Sequence, residues 1–201
     1  MGTFRHSVMG LGAVLVVAAC ATASNPMDEF EQLTPASQLQ APDAPNSGDF
    51  PAAQVARGQY LVSLLGCGSC HTDGALIGEP DSKRLLAGSQ TGIAYSNPLV
   101  QPNPGIVYPA NLTPDRQTGI GNRSVEQLVT LLRAGTDRHG SQILPVMPWP
   151  AYAYMTADDA AAIATYLKSL SPVRHQVPAN VPPGQPASAP FVHFGVYRSR
   201  P

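Results

Sequence analysis

Apolar residues recur at helical spacing in three stretches of the chain. The first stretch runs from Pro51 to about Leu65, and its apolar positions gather on one face of a helix. The second begins at Ser124, where the sequence Ser-Val-Glu-Gln has the form of a capping box. The third begins at Thr156 and stops before Pro172. The pattern therefore predicts three helices.

The stretch 72–123, between the first two of these helices, shows no clear period. A loop of that length is unusual in a compact domain unless it wraps a ligand or has a function of its own. Three short helices with so much irregular chain make a small core, which a large buried apolar ligand would fill. We therefore expect an all-α fold with long irregular loops.

Two segments of different composition flank the three helices. Residues 20–50 are rich in Ala, Pro, Ser, Gln and Asp and show no sustained apolar period, which is typical of a flexible tether. Residues 172–201 are rich in proline and are expected to form an irregular tail. One domain of ordinary size, residues 51–171, is predicted between them.

The N-terminus has the layout of a secretory signal. Residues 1–19 carry a positive charge near their start, at Arg5. An apolar run too short to span a membrane follows, and small residues precede Cys20. The ending Val-Ala-Ala-Cys resembles a bacterial lipobox, in which the signal is removed and the cysteine is lipidated. We expect a lipid anchor on Cys20 at the periplasmic side of a membrane. Ala21 favours the outer membrane, by resemblance to enteric lipoproteins. The alternative is an ordinary signal that happens to end near a cysteine.

The chain carries few charges. Its 12 Lys and Arg residues nearly balance 13 Asp and Glu residues. Charged residues make up 12% of the chain, whereas roughly 25% is usual in globular proteins. Nucleic-acid binding calls for a basic stripe, and the sequence suggests none, so we expect no nucleic-acid partner.

The sequence Cys67-Gly-Ser-Cys70-His71 is the Cys-x-x-Cys-His signature of covalent haem c attachment. Two thiols at this spacing can add across the vinyl groups on one edge of a haem. The next residue then lies under the iron, where a histidine nitrogen can bind as the proximal ligand. Cys67 and Cys70 are therefore the predicted thioether residues and His71 the predicted proximal ligand.

Three other interpretations of the motif are weaker. A structural zinc site requires four ligands, which usually come from two such pairs, and the chain has no second Cys-x-x-Cys pair. A thioredoxin-like redox pair wants a βαβ context and the start of a helix, whereas this motif follows a predicted helix. The third is a disulfide between Cys67 and Cys70, which would make the protein a haem-free structural lipoprotein.

The sixth position of the iron needs a further ligand. Met147 lies in the proline-rich stretch Ile-Leu-Pro-Val-Met-Pro-Trp-Pro, whose stiff backbone can hold a thioether against iron, so Met147 is the expected distal ligand. Met155 directly precedes the cap of the third helix, where we expect it to pack as a hydrophobic staple. The remaining candidates are His139 in a polar loop and His175 and His193 in the tail.

The segments RGQYLVSLLGCGSCH, NLTPDRQTGIG and MPWPAYAYMTADDAAAIATYLKSLSPV resemble class I monohaem cytochromes c. Within that class they resemble more closely the cytochrome c subunits and domains that accept electrons from periplasmic alcohol, aldehyde and sugar-acid dehydrogenases. The resemblance implies three to five short helices around one covalent haem c, with Gly58 letting the first helix approach the last near Tyr166. The turn-rich loop 111–121 is expected to cover the haem or to contact a partner or an ion.

The resemblance also implies electron transfer rather than catalysis, because two axial ligands leave the iron no open position for a substrate. The expected partners are a dehydrogenase as electron donor and a cytochrome or oxidase as acceptor. Many relatives carry three haem motifs and this chain carries one, so a dehydrogenase subunit and a separate carrier both remain open. The alternative is a haem protein with an open sixth position that binds a gas or reacts with peroxide.

Overall fold

Five α-helices, two 3-10 helices (Ser47–Asp49 and Ala75–Ile77) and three short strands lie in residues 39–45, 47–135 and 146–195, the parts of the chain that a computed structural model describes. The helices are α1 (Ala52–Leu64), α2 (Cys67–His71), α3 (Val125–Ala134), α4 (Trp149–Tyr152) and α5 (Ala157–Ser169). The strands are β1 (Gly92–Ala94), β2 (Ile106–Val107) and β3 (Phe191–His193).

The three predicted helices are confirmed as α1, α3 and α5. Ser124 caps α3 because its Oγ accepts a hydrogen bond from the backbone N–H of Gln127 at 3.2 Å. The Oε1 of Gln127 in turn accepts from the N–H of Ser124 at 2.8 Å, which completes the predicted capping box. Gly135 ends this helix with φ 64°. Thr156 caps α5, as its Oγ1 accepts from the N–H three residues later.

Helices α1 and α5 cross at Gly58, in agreement with the resemblance. A Cβ atom on Gly58 would lie 2.1 Å from the carbonyl oxygen of Ala162 and 2.6 Å from the Cβ of Tyr166, so any side chain would force the helices apart. At the surface, Arg57 Nε donates to Asp159 Oδ1 at 2.9 Å and joins the same two helices. The buried apolar residues of this helical core include Val55, Leu61, Val62, Leu86, Ile120, Leu128, Ile163, Tyr166, Leu167 and Leu170.

A three-stranded sheet in the order β2-β1-β3 corrects the expectation of an all-α fold. Strand β1 runs antiparallel to β2, with Ile93 opposite Val107, and parallel to β3, with Ile93 opposite Val192. A further bridge joins Ile106 to Val181. Each strand is only two or three residues long, which is too short to produce a recognisable alternation of apolar and polar residues.

Segments on both sides of the predicted domain pack against it. On the N-terminal side, the hydroxyl of Tyr166 donates to the carbonyl of Pro42, and the side-chain amide of Gln59 donates to the carbonyls of Ala41 and Pro42. On the C-terminal side, strand β3 joins the sheet and His175 is buried. Part of the expected tether and part of the expected tail therefore contact the domain, while the domain limits at residues 51 and 171 stay predictions.

Some predicted features lie outside the described residues. These are the secretory signal of residues 1–19, the lipidated Cys20 and one candidate iron ligand, His139. Within the described ranges, no helix has both the length and the apolar character that a membrane span requires.

Candidate haem site

The Cys-x-x-Cys-His motif itself forms the short helix α2. Gly66 precedes this helix with φ 65°, a left-handed conformation that favours glycine, and so lets the chain turn between α1 and α2. Cys67 and Cys70 are three residues apart, a spacing that places both side chains on one face of a helix. Both are half-buried free thiols, so the structure gives no support to a disulfide between them.

Burial determines the protonation of the two thiols. It raises the pKa of Cys67 to about 11 and also raises the pKa of Cys70. Both thiols are therefore protonated at neutral pH, whereas the nucleophilic cysteine of a thiol redox pair has a lowered pKa. The thioredoxin-like interpretation does not fit this environment. The zinc interpretation also lacks support, because no group of three or more His, Cys, Asp or Glu side chains in the described ranges is arranged to hold a metal ion.

The two ring nitrogens of His71 have different environments. Its Nδ1 lies 2.8 Å from the carbonyl oxygen of Ala110, and since a carbonyl only accepts, Nδ1 carries the proton. Burial lowers the pKa of His71, although the hydrogen bond to Ala110 opposes this effect, so the neutral ring is favoured. The unprotonated Nε2 has no hydrogen-bond partner among the described residues. A neutral imidazole with a free Nε2, next to two free thiols, fits the ligand and attachment groups that haem c requires.

Backbone hydrogen bonds join the motif to the chain around Ala110 through one intermediate segment, residues 86–89. The N–H of Gly88 donates to the carbonyl of His71 at 2.9 Å, and the N–H of Ser89 donates to the carbonyl of Pro109 at 3.0 Å. His71 and the residue before its carbonyl acceptor are thus held by hydrogen bonds to the same backbone segment.

Leu86, in this intermediate segment, has a strained backbone. Its φ of 61° costs a residue with a side chain about 1–2 kcal/mol. Its N–H donates to the hydroxyl of Thr72 at 3.0 Å, and its carbonyl accepts from the N–H of Leu112 at 2.8 Å. The side chain is only 1% exposed, so hydrophobic burial and two hydrogen bonds together hold this conformation beside the motif.

The segment that carries Met147 continues into α4, whose last residue lies near the motif. Met147 is half-buried and lies just before α4. Tyr152, in the last position of α4, is buried, and burial followed by the nearby Cys67 and Cys70 raises its pKa to about 12. Ligation of iron by Met147 stays a prediction. Met155 packs against the helical core, and its expected role as a hydrophobic staple stays a prediction.

The loop 111–121 lies directly after the acceptor of the His71 hydrogen bond, and its polar groups bond largely to one another. The Oδ1 of Asp115 accepts from the N–H and the hydroxyl of Thr118, both at 2.7 Å, and from the N–H of Gln117 at 3.1 Å. The hydrogen bonds from Thr118 hold the pKa of Asp115 below its ordinary value. Covering of a haem or contact with a partner by this loop stays a prediction.

The two described histidines of the C-terminal segment differ in setting. His175 is buried, and its Nδ1 donates to the carbonyl of Ala87 at 2.9 Å while its Nε2 accepts from the side-chain amide of Gln90 at 3.1 Å. Both ring nitrogens are therefore occupied by hydrogen bonds within the protein. His193 lies in strand β3.

Three residues of the site carried no chemical signal in the sequence. Ala110 contributes only a backbone carbonyl, Leu86 contributes a backbone conformation, and Tyr152 is one of several tyrosines. For Ala110 the only available sign was its position immediately before the motif NLTPDRQTGIG.

No protein-family model matches the chain. The chain is similar to several characterised proteins, of which three are given next. The cytochrome c subunit of alcohol dehydrogenase (quinone) from Gluconobacter oxydans is 34% identical over 134 residues, which are 66% of this chain and 25% of that protein. The fructose dehydrogenase cytochrome subunit from Gluconobacter japonicus is 33% identical over 126 residues, 63% of this chain and 23% of that protein. The gluconate 2-dehydrogenase cytochrome c subunit from Pantoea cypripedii is 33% identical over 122 residues, 60% of this chain and 24% of that protein.

All three relatives are cytochrome subunits of dehydrogenases, and the chain spans about a quarter of the length of each. Their similarity to this chain supports its kinship with cytochromes c.

Proposed function

We propose that this protein is an electron-transfer cytochrome with one covalent haem c. Cys67 and Cys70 form the thioether bonds, His71 is the proximal ligand and Met147 is the distal ligand. The observation that carries the proposal is the placement of His71, whose Nδ1 is bonded to the carbonyl of Ala110 and whose Nε2 is left without a partner among the described residues, beside two free thiols. The cytochrome subunits to which the chain is similar support the same conclusion.

When bound, the haem supplies a one-electron couple, and the protein sets its potential and its access. His71 offers a neutral nitrogen, because burial disfavours the imidazolium form. Tyr152 and Tyr166 are almost fully buried, and both lie close enough to Cys67 to feel its charge. His71 and Met147 would both hold the iron and would leave it no open position for a substrate, so we propose a carrier rather than an enzyme.

The partners and the location are part of the proposal. The relatives belong to dehydrogenases of an alcohol, fructose and gluconate, which favours a dehydrogenase of this kind as the electron donor. The acceptor would be another cytochrome or an oxidase. The secretory signal and Cys20 favour a lipid-anchored protein on the periplasmic side, with the outer membrane preferred because position 21 is alanine.

The experiment that tests the proposal replaces both attachment residues. Cys67→Ala with Cys70→Ala should abolish haem that survives on a denaturing gel, because no thioether can form, while export continues. Cys20→Ser is the matched control, since it removes the third cysteine and should leave the haem stain unchanged. Haem that stays covalently attached to the double variant would refute the proposal.

A further inference from the structure

We infer that Asn111 is a positioning residue for the imidazole of His71, and that the chain after α5 supplies hydrogen-bond partners that hold Asn111 in place. Asn111 directly follows Ala110, whose carbonyl accepts the hydrogen bond from His71 Nδ1. This inference rests on the proposed function, because it concerns the histidine that would bind the iron.

The side chain of Asn111 is buried and has a full set of hydrogen bonds. It is 1% exposed. Its Nδ2 donates to the carbonyl of Val173 at 2.8 Å and to the hydroxyl of Thr118 at 3.1 Å. Its Oδ1 accepts from the N–H of Thr113 at 2.9 Å and from the hydroxyl of the same residue at 2.7 Å. A carboxamide has two donor hydrogens and two acceptor lone pairs, so none of its bonding capacity is unused.

The orientation of this carboxamide is fixed by its partners. The backbone N–H of Thr113 can only donate and the backbone carbonyl of Val173 can only accept. Exchanging the oxygen and nitrogen of Asn111 would therefore break both bonds. No other polar residue of similar size offers two donors and two acceptors in this geometry, and an aspartate would place a second acceptor against the carbonyl of Val173.

Ala110 cannot hold its own carbonyl in place, because its side chain is a methyl group and the residue is exposed. The carbonyl of Ala110 shares a rigid peptide plane with the nitrogen of Asn111. Pro109, before this peptide plane, is held by the hydrogen bond from the N–H of Ser89. Leu112, after it, is held by the hydrogen bond that its N–H donates to the carbonyl of Leu86. Asn111 fixes the end of the peptide plane that lies between these two attachments.

The chain after α5 completes this arrangement. Val173 accepts from Asn111, and its own N–H donates to the hydroxyl of Thr113 at 3.0 Å. The N–H of His175 donates to the hydroxyl of Thr118 at 3.0 Å. The direction of the His71 imidazole therefore depends on residues about a hundred positions later in the sequence, 173 and 175.

The expected consequence follows from the chemistry of histidine ligands. A hydrogen bond from Nδ1–H to a carbonyl makes Nε2 more basic and fixes the plane of the ring. A more basic ligand stabilises the oxidised metal. Loosening the Ala110 carbonyl should therefore expose the Nδ1 proton of His71 to solvent and raise the reduction potential.

The test uses the haem-loaded, full-length protein. Asn111→Ala and Thr118→Val should each accelerate exchange of the His71 Nδ1 proton with solvent, measured by NMR in the reduced state, by about tenfold, on the order expected for the loss of one hydrogen bond. Both variants should also raise the reduction potential. Thr118→Ser keeps the hydroxyl and should restore wild-type values. Ser169→Ala is the control, because it removes a buried hydroxyl that bonds to the carbonyl of Tyr166 at 2.7 Å and to no residue of the arrangement around Asn111.

The control should lose stability without changing the exchange rate or the potential. The inference is overturned if Asn111→Ala and Thr118→Val keep both wild-type values, or if Ser169→Ala changes them equally. If Asn111→Ala does not fold, Thr118→Val and Thr118→Ser test the inference. It then requires that Thr118→Val changes the exchange rate and the potential and that Thr118→Ser does not. A wild-type protein without covalent haem would overturn the proposed function and this inference together, whereas unchanged values in haem-loaded variants overturn the inference alone.

Discussion

Burial acts on the ionisable residues of the motif in one direction, towards the neutral form. It raises the pKa of the thiols of Cys67 and Cys70 and lowers the pKa of His71. The reason is common to all three, since a low-dielectric environment disfavours an anion and a cation alike. The site is therefore uncharged before anything binds there, and a neutral His71 nitrogen is the form that ligates a metal.

The first prediction concerns the distal ligand. Met147→Ala should make the haem iron partly high-spin and lower the reduction potential, because a methionine opposite a histidine raises the potential. Met155→Ala should leave the spectrum unchanged and cost stability, because Met155 packs against the helical core. The absorption spectra of the oxidised proteins and their reduction potentials provide the measurement.

The two methionine variants can also give other results. If only Met155→Ala loses the ligand signature, the assignment is reversed. If neither variant loses it, a histidine becomes the candidate, and His139 is the nearest of them to Met147 in sequence. A wild-type protein that is already high-spin would favour the haem protein with an open sixth position.

The second prediction concerns Asp115 and pH. Hydrogen bonds from Thr118 lower the pKa of Asp115 below its ordinary value of 3.8. Because the pKa is lower in the folded state, the ionised carboxylate stabilises the fold fully above its ordinary pKa. This stabilisation is lost as the pH falls through the lowered pKa of the folded state. Asp115→Asn should therefore reduce the free energy of unfolding most at neutral pH, and its difference from wild type should shrink towards pH 3. Urea unfolding at several pH values measures this difference.

Thr118→Ser keeps the hydroxyl that bonds to Asp115 and should retain the pH dependence of the wild-type protein. A constant difference between Asp115→Asn and wild type at all pH values would show that the carboxylate charge has no part in stabilising the loop.

At the scale of helices and strands, features that depend on neighbouring residues can be predicted from the sequence more readily than features that depend on residues far apart in the chain. The caps of α3 and α5 could be predicted from the sequence, because a serine or threonine bonds within one turn. The close approach of α1 and α5 at Gly58 was implied by the resemblance to cytochromes c. The sheet could not be predicted, because strands of two or three residues are stabilised by partners distant in sequence, as in the pairing of Gly92 with Phe191.

The third prediction tests the helix crossing. Gly58→Ala should destabilise the protein by about 1–3 kcal/mol, the usual cost of forcing an extra carbon into a packed core. The added Cβ meets the backbone oxygen of Ala162, which cannot move aside as a flexible side chain would. Gly48→Ala is the matched control, because a Cβ there would have no neighbour within 4 Å. Urea unfolding of the haem-loaded proteins measures both changes, and equal stability of the two variants would contradict the close contact.

At the scale of the whole molecule, both flanking segments contribute to the site. The carbonyl of Pro42 accepts from Tyr166, and Val173 accepts from Asn111. Composition alone predicts a tether and a tail here, because proline-rich sequence shows no apolar period. The contacts were missed because they are made by backbone carbonyls, which every residue carries. The motif residues Cys67 and His71, by contrast, can be predicted as site residues from the sequence, because their side chains have specific chemistry.

The last prediction concerns the attachment of the whole molecule to a membrane. Cys20→Ser should move the protein from the membrane fraction to the soluble fraction, because buried acyl chains contribute about 0.8 kcal/mol per CH₂ group and a serine cannot be lipidated at this position. Among the described residues, no helix is long and apolar enough to cross a membrane. The measurement is fractionation of cells followed by haem staining, with Cys67→Ala plus Cys70→Ala as the control that should lose haem and stay with the membrane. A Cys20→Ser protein that still sediments with membranes after a high-salt wash would show that another part of the chain, or a membrane-bound partner, holds it there.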